Sequence, residues 1–238
     1  MGYEPHFTPK PFADGLWVAD GPHIPAARIP VPVRMTVARL ADGGLWLHSP
    51  IEARAPLVDA LRALGPIRHL VAPNAAHLTW TQGWHRAAPE AAVWGAPGVA
   101  GRAGRKGIDL PWQTLGDAAP PDWAGEIDQM VVGGSRVFHE AVFLHRASRT
   151  LVLTDLVENL EPRRLPVWLG LLARAGGVAD PDGKAPPHLR LAFTDRKALR
   201  ASVERMLAWD PERVVMAHGR PYGRDGAAEL RRAFRWVL

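Results

Sequence analysis

Two rhythms of apolar residues alternate along this 238-residue chain. Short runs rich in Val, Leu, Ile and Trp predict strands, and spacings of three and four residues predict helices. The densest stretch is Val137 to Leu160, VFHEAVFLHRASRTLVLTDLVENL. Its first run (Val137, Ala141, Val142, Phe143, Leu144) turns at Ala147-Ser148-Arg149 into a second, Thr150-Leu151-Val152-Leu153-Thr154. So little polar interruption predicts two strands buried on both faces. Upstream, Leu16–Ala19 predicts a short strand. Met35–Leu40 and Leu45–His48 then form a hairpin through Ala41-Asp42-Gly43-Gly44. A helix over Ala55–Leu64 carries Leu57, Val58, Leu61 and Leu64 on one face and stops at Gly65-Pro66.

Ile67–Ala72 predicts a strand, Leu78–Ala87 a helix and Ala92–Trp94 another strand. Gly95–Gly107 reads as a Gly-rich connection with a short helix, Trp112–Trp123 as a loop, and Gln129–Val132 leads into the central pair. Beyond that pair, Leu165–Arg174 predicts an apolar helix. Gly176–Pro187 reads as a loop or lid, Ala198–Trp209 as an amphipathic helix, Arg213–Ala217 as a strand and Ala227–Leu238 as a final helix. The interleaving predicts an α/β chain, and its length and 47% hydrophobic content fit one domain over residues 1–238.

Composition narrows the chemistry. The absence of cysteine removes disulfides, thiolate metal ligands and cysteine nucleophiles together. The net charge of +5 is scattered, and only four of 29 basic residues are lysines, so no nucleic-acid partner is expected. No apolar run approaches a membrane span, and the N-terminus lacks signal-peptide features. The expectation is therefore a cytoplasmic protein acting on a small-molecule substrate. Ten tryptophans belong mostly to the core, with some left for a pocket or a homodimer face.

Metal-ligand residue types fall where strands end. His77 follows Ile67–Ala72, the pair His139–Glu140 opens the central strand, Asp155 closes its partner, and His218 follows Arg213–Ala217. Without thiolates, imidazole nitrogen and carboxylate oxygen are the donors zinc and iron use. Asp155 has a second reading, as the cap of a helix starting at Leu156. His145 lies six residues beyond His139, on the same strand face, as a candidate support to the ligands.

The order of these elements resembles the metallo-β-lactamase superfamily. The central pair ending in Leu-Val-Leu-Thr-Asp and the late Ala217-His218-Gly219 match its ligand-bearing motifs. More closely, Asn-x-x-His (Asn74, His77), Phe143-Leu-His-Arg-x-Ser-Arg-Thr-Leu151 and Thr154-Asp-Leu156 resemble a divergent family of unknown function on that fold. The resemblance implies an αββα sandwich of two mixed β-sheets flanked by helices, with a metal at one sheet edge. It also exposes a departure. The superfamily's cluster of three histidines and an aspartate shrinks here to His77, with Asn74 the one other oxygen donor.

The expected ligand set is His77, Asp155, His218 and one of His139 or Glu140, holding a single divalent transition metal, zinc favoured over iron. Asp155 or Glu140 serves as proton acceptor where it is not a ligand, and Asn74 and His145 support from behind. The implied activity is hydrolysis of an ester, lactone, thioester or phosphoester. A non-catalytic binding protein on a decayed hydrolase fold, and an iron-dependent redox protein, are the alternatives.

Overall fold

The computed structural model describes residues 3–26 and 29–238. Seven strands form the first sheet, in the order β1 (Lys10–Ala13), β2 (Leu16–Ala26), β3 (Ile29–Arg39), β4 (Leu45–His48), β5 (Ile67–Ala72), β6 (Ala92–Gly95), β7 (Trp112–Thr114). It is antiparallel from β1 to β4 and parallel from β4 to β7, because α1 (Ala55–Leu64), α2 (Thr81–Ala87) and α3 (Val99–Arg105) supply the crossovers. The second sheet has the order β11 (Arg213–Val215), β10 (Thr150–Val152), β9 (Ala141–His145), β8 (Ile127–Val131). There β10 pairs parallel with β11 and antiparallel with β9.

The side chains stack these layers. Leu16, Ala38, Trp46, Val71 and Trp94 of the first sheet meet Ile127, Ala141, Phe143, Val152 and Val215 of the second in one buried cluster. On the outer face of the first sheet, Leu45, Leu47, Leu70 and Val93 pack with Leu57, Val58, Leu61 and Trp84 of α1 and α2. On the outer face of the second, Val142, Leu151 and Val214 pack with Leu199, Val203 and Met206 of α6 (Arg196–Ala208) and with Leu230 and Ala233 of α7 (Gly226–Ala233). Successive residues of β9 thus serve opposite cores, which is why its run has no polar alternation. The layering is helix, sheet, sheet, helix, as the resemblance implies.

Several elements differ from the sequence expectation. Val137 is 82% exposed and lies outside β9, which starts at Ala141. Trp112–Thr114, read as loop, closes the edge of the first sheet, too short and too exposed to show a strand pattern. The Pro-rich stretch after Gly176 ends in an additional helix, α5 (Pro187–Ala192), started by prolines whose fixed φ suits a first turn. α4 (Val167–Gly176) is displaced by two residues from its expected span. Trp46, Trp84 and Trp123 are fully buried, whereas Trp168 on α4 is 53% exposed. Among the described residues, no helix is long and apolar enough to cross a membrane.

Candidate metal centre

Three of the singled-out residues converge. β5, β10 and β11 end at one edge of the sandwich, and the residues after them, His77, Asp155 and His218, face one another. Asp155 Oδ1 lies 3.2 Å from His77 Nε2 and 3.0 Å from His218 Nε2, and the two nitrogens are 3.2 Å apart. Metal–ligand distances of about 2.0–2.1 Å put tetrahedral donors about 3.3–3.4 Å apart. The triangle is within a few tenths of an ångström of one face of that tetrahedron, so the residues fit a metal ion.

The remaining atoms of the three side chains are fixed by partners. His218 Nδ1 lies 2.7 Å from the Pro32 carbonyl, an acceptor only, so this nitrogen donates and Nε2 points to the triangle. His77 Nδ1 lies 2.7 Å from Ser49 Oγ. Asp155 Oδ2 accepts from Asn74 Nδ2 at 2.8 Å, leaving Oδ1 to the two imidazoles. The His218 loop is clamped by Arg34, whose guanidinium donates to the Met216 and Gly219 carbonyls. Gly219 takes φ +93°, and a Cβ there would sit 2.1 Å from the Asn159 carbonyl oxygen, so only glycine fits.

Neither member of the His139–Glu140 pair joins the triangle. Glu140 lies fully buried behind it, with both oxygens engaged. Oε1 accepts from Thr154 N at 2.8 Å, and Oε2 from Asp155 N at 2.9 Å and Asn74 Nδ2 at 3.2 Å. It is the acceptor that shapes the bend carrying Asp155. His139 faces a separate surface hollow, because the chain straightens into β9 only after Glu140. His145 is no support to the ligands. It closes the far end of β9 and pairs with Ser148 Oγ at 2.8 Å.

Asn74 reaches the triangle through both ends of its amide. Its Oδ1 accepts from Ala76 N (2.8 Å) and His77 N (3.2 Å), shaping the loop that presents His77, while its amide nitrogen bridges Glu140 and Asp155. That oxygen is thus committed to the backbone. The helix-cap reading of Asp155 is overturned, since no helix follows at Leu156.

Charge at the centre follows from these contacts. Burial works against the ionised Asp155, but His77 and His218 outweigh it and hold its carboxyl well below the usual range. Burial likewise works against a charged His218, yet Asp155 and then Glu158 raise it to about 9. Burial, with the nearby Asp155 charge, pushes Glu140 up to about 8. His48, fully buried behind His77, is lowered to about 3, first by burial and then by His77.

Beside the triangle opens a cavity of about 540 Å³. His77, Asp155 and His218 form its floor, and Ile24, Val33, Trp80, Phe138 and Leu189 line it. Glu158 also faces this cavity, and burial pushes its carboxyl up to about 7, with Asp155 adding and His218 opposing. The sequence did not single out Glu158. It sits in an irregular stretch held by isolated backbone bridges, Glu158 to Lys184 and Asn159 to Gly219. Ser49 and the Pro32 carbonyl were equally invisible, since neither carries a sequence signal of ligand support.

Residues 14–172 match the family described as Domain of unknown function (DUF4336). The chain belongs to this family. The DUF4336 match includes Asn74, His77, Glu140 and Asp155 but ends inside α4, before β11 and His218. Among solved structures, this DUF4336 chain is similar to a metallo-β-lactamase from Pontibacter korlensis at 13% identity and TM-score 0.66, over 96% of this chain and 97% of that one. It is similar to the DIM-1 metallo-β-lactamase at 11% identity and TM-score 0.69, over 98% and 97%. A metallo-β-lactamase from Erythrobacter litoralis aligns at 15% identity and TM-score 0.66, over 96% and 95%. At such identities the likeness is one of fold, and the fold is that of the metallo-β-lactamases. No curated protein matches the chain.

Proposed function

We propose that His77, Asp155 and His218 hold one divalent transition metal, and that this DUF4336 protein is a metal-dependent hydrolase of an acyl compound: an ester, lactone or thioester. The observation that carries the reading is the triangle of two nitrogens and one oxygen, 3.0–3.2 Å on each side, set in the floor of an apolar cavity. Three protein ligands facing an open cavity are the arrangement of catalytic rather than structural sites. Imidazole and carboxylate donors favour zinc, with iron as the alternative. When bound, such a cation supplies Lewis acidity and acidifies water.

The chain's own residues supply the rest. Trp80, Phe138 and Leu189 offer an apolar wall for an acyl group. Among the described lining residues none is Lys or Arg, which disfavours a phosphoester as the reacting group. Asp155 and Glu140 are both committed to hydrogen bonds, so Glu158, whose carboxyl has no such partner among the described residues, is the proton acceptor. A carboxyl near pKa 7 is suited to receive a proton from the attacking water and return it to the leaving oxygen or sulfur.

The test is a ladder of p-nitrophenyl esters from acetate to octanoate and a matched thioester, assayed with zinc-loaded protein. Turnover is expected to rise with acyl length, and Glu158→Gln is expected to lower kcat about 100-fold at unchanged zinc content. A Glu158→Gln kcat equal to the parent's would remove Glu158 from the chemistry. No turnover with zinc or iron would leave the binding-protein reading.

A further inference from the structure

One strongly charged feature lies outside the metal cavity. A hollow of about 470 Å³ adjoins it, and the two share Ala76 and Phe138 as a common wall. Arg102 and Arg105 line the hollow from α3, where a spacing of three residues puts them on one helix face. Arg136 and His139 line it from the loop between β8 and β9.

The charges there are not balanced. Among the described residues no Asp or Glu lines the hollow, and none of the three guanidinium groups makes an ion pair or a hydrogen bond. Some arginines elsewhere on the surface have carboxylate partners, such as Arg146 with Asp128, Arg149 with Asp210 and Glu212, and Arg220 with Asp180. Others, Arg68, Arg86, Arg174 and Arg231 among them, have none among the described residues. What sets Arg102, Arg105 and Arg136 apart is that the three line one hollow together. Gathering three guanidinium groups around one hollow that no carboxylate lines costs repulsion, which a bound anion reverses. Forked N–H donors in that number match phosphate oxygens in particular.

We propose that this hollow binds the phosphate groups of the substrate, so that the chain acts on an acyl ester or thioester whose leaving group carries a phosphorylated arm. The acyl group lies in the apolar cavity, the carbonyl over the His77–Asp155–His218 triangle, and the arm passes the Ala76–Phe138 wall into the arginine hollow. The identity of the reacting group rests on the acyl-hydrolase reading above, whereas the hollow's affinity for phosphate does not. In the reaction the bond from the carbonyl carbon to the leaving oxygen or sulfur breaks, and water's oxygen takes its place. One proton of that water passes to the leaving atom, giving a free acid and a phosphorylated alcohol or thiol.

The experiment compares S-octanoyl-coenzyme A with S-octanoyl-N-acetylcysteamine, the same thioester with and without phosphates, on the zinc-loaded protein. The expected ratio of kcat/KM in favour of the phosphorylated compound is at least about tenfold, the scale of one or two charge-assisted hydrogen bonds. It should sit mainly in KM and shrink as salt is raised. Changing Arg102, Arg105 and Arg136 together to Gln should bring the ratio towards one. The loop variant Arg136→Glu, which leaves α3 intact, should lower it as well. A ratio near one in the parent, or one that both variants leave unchanged, would overturn the proposal.

Should neither thioester be turned over, the hydrolase reading fails and a second arm decides the hollow separately. ADP is titrated calorimetrically into protein kept in EDTA, which removes coordination to metal as a source of binding. Salt-sensitive binding that is lost in the triple variant supports the hollow as a phosphate site. No binding, or binding indifferent to the three arginines, rejects it.

Discussion

The two ends of β9 start from similar material and finish differently. Each end places a buried polar residue beside an apolar run: Glu140 before Ala141, and His145 about 16 Å further along. At the His145 end the neighbours are local. Ser148 of the following turn meets the ring, its Oγ lying 2.8 Å from His145 Nδ1 and donating onward to Thr150 Oγ1 at the start of β10, also at 2.8 Å. At the Glu140 end, β5, β10 and β11 also terminate, so side chains from sequence positions as distant as 74 and 218 meet. A polar residue at a strand end becomes part of a site only where several strands end together.

That contrast is open to breaking by substitution, most severely at Glu140. Glu140→Ala strips the acceptors from Thr154 N, Asp155 N and the Asn74 amide, all inside the sandwich. We expect a loss of about 3 kcal/mol or more, with metal affinity falling too, read by urea unfolding and zinc titration. A loss under about 1 kcal/mol would mean those donors find other partners.

Protonation sharpens the comparison. In the metal-free protein Asp155 raises His218 to about 9 against the effect of burial. Its contribution to stability is therefore complete below the unfolded value of 6.5 and is lost as pH climbs through about 9. Asp155 acts in the opposite sense. Its depressed carboxyl contributes above the unfolded value of 3.8 and loses that contribution as pH falls towards the lower folded value. A metal must displace the His218 proton, so uptake at pH 7 should release about one proton, measured by calorimetry in buffers of different ionisation enthalpy. Proton-neutral uptake would contradict the imidazolium–carboxylate pair. At the other end of β9, burial lowers His145, against Glu126 and Asp14.

The smallest effect belongs to that quieter end. Ser148→Ala removes one partner of His145 and should cost about 1 kcal/mol, with zinc affinity unchanged within error. A change in zinc affinity would show the two ends of the strand to be coupled.

How much of this the chain disclosed follows the same division between local and convergent features. Ala55–Leu64 and Ile67–Ala72 form over the residues expected, because capping by Gly65-Pro66 and the apolar pattern are local signals. The strand ends behind His77, Asp155 and His218 were readable for the same reason. Trp112–Thr114 was not, since a three-residue edge strand is defined by its neighbour β6 rather than by its own pattern. The partner atoms escaped for a related reason. Ser49, the Pro32 carbonyl and Glu158 reach the centre through tertiary packing, and the choice between His139 and Glu140 turned on where β9 begins. A single residue of offset sends one side chain to the arginine hollow and the other behind Asp155.

The most direct test of the central claim is zinc content after equilibrium dialysis, compared between the parent and Asp155→Asn at the same free zinc. Asparagine keeps the size of the side chain and can still meet Asn74, but it gives up the charge shared by His77 and His218. The account predicts about one zinc per parent chain, a variant that folds with its metal-free melting temperature little changed, and a variant zinc content reduced about tenfold or more. Equal zinc in the two proteins, or two equivalents in the parent, would contradict it.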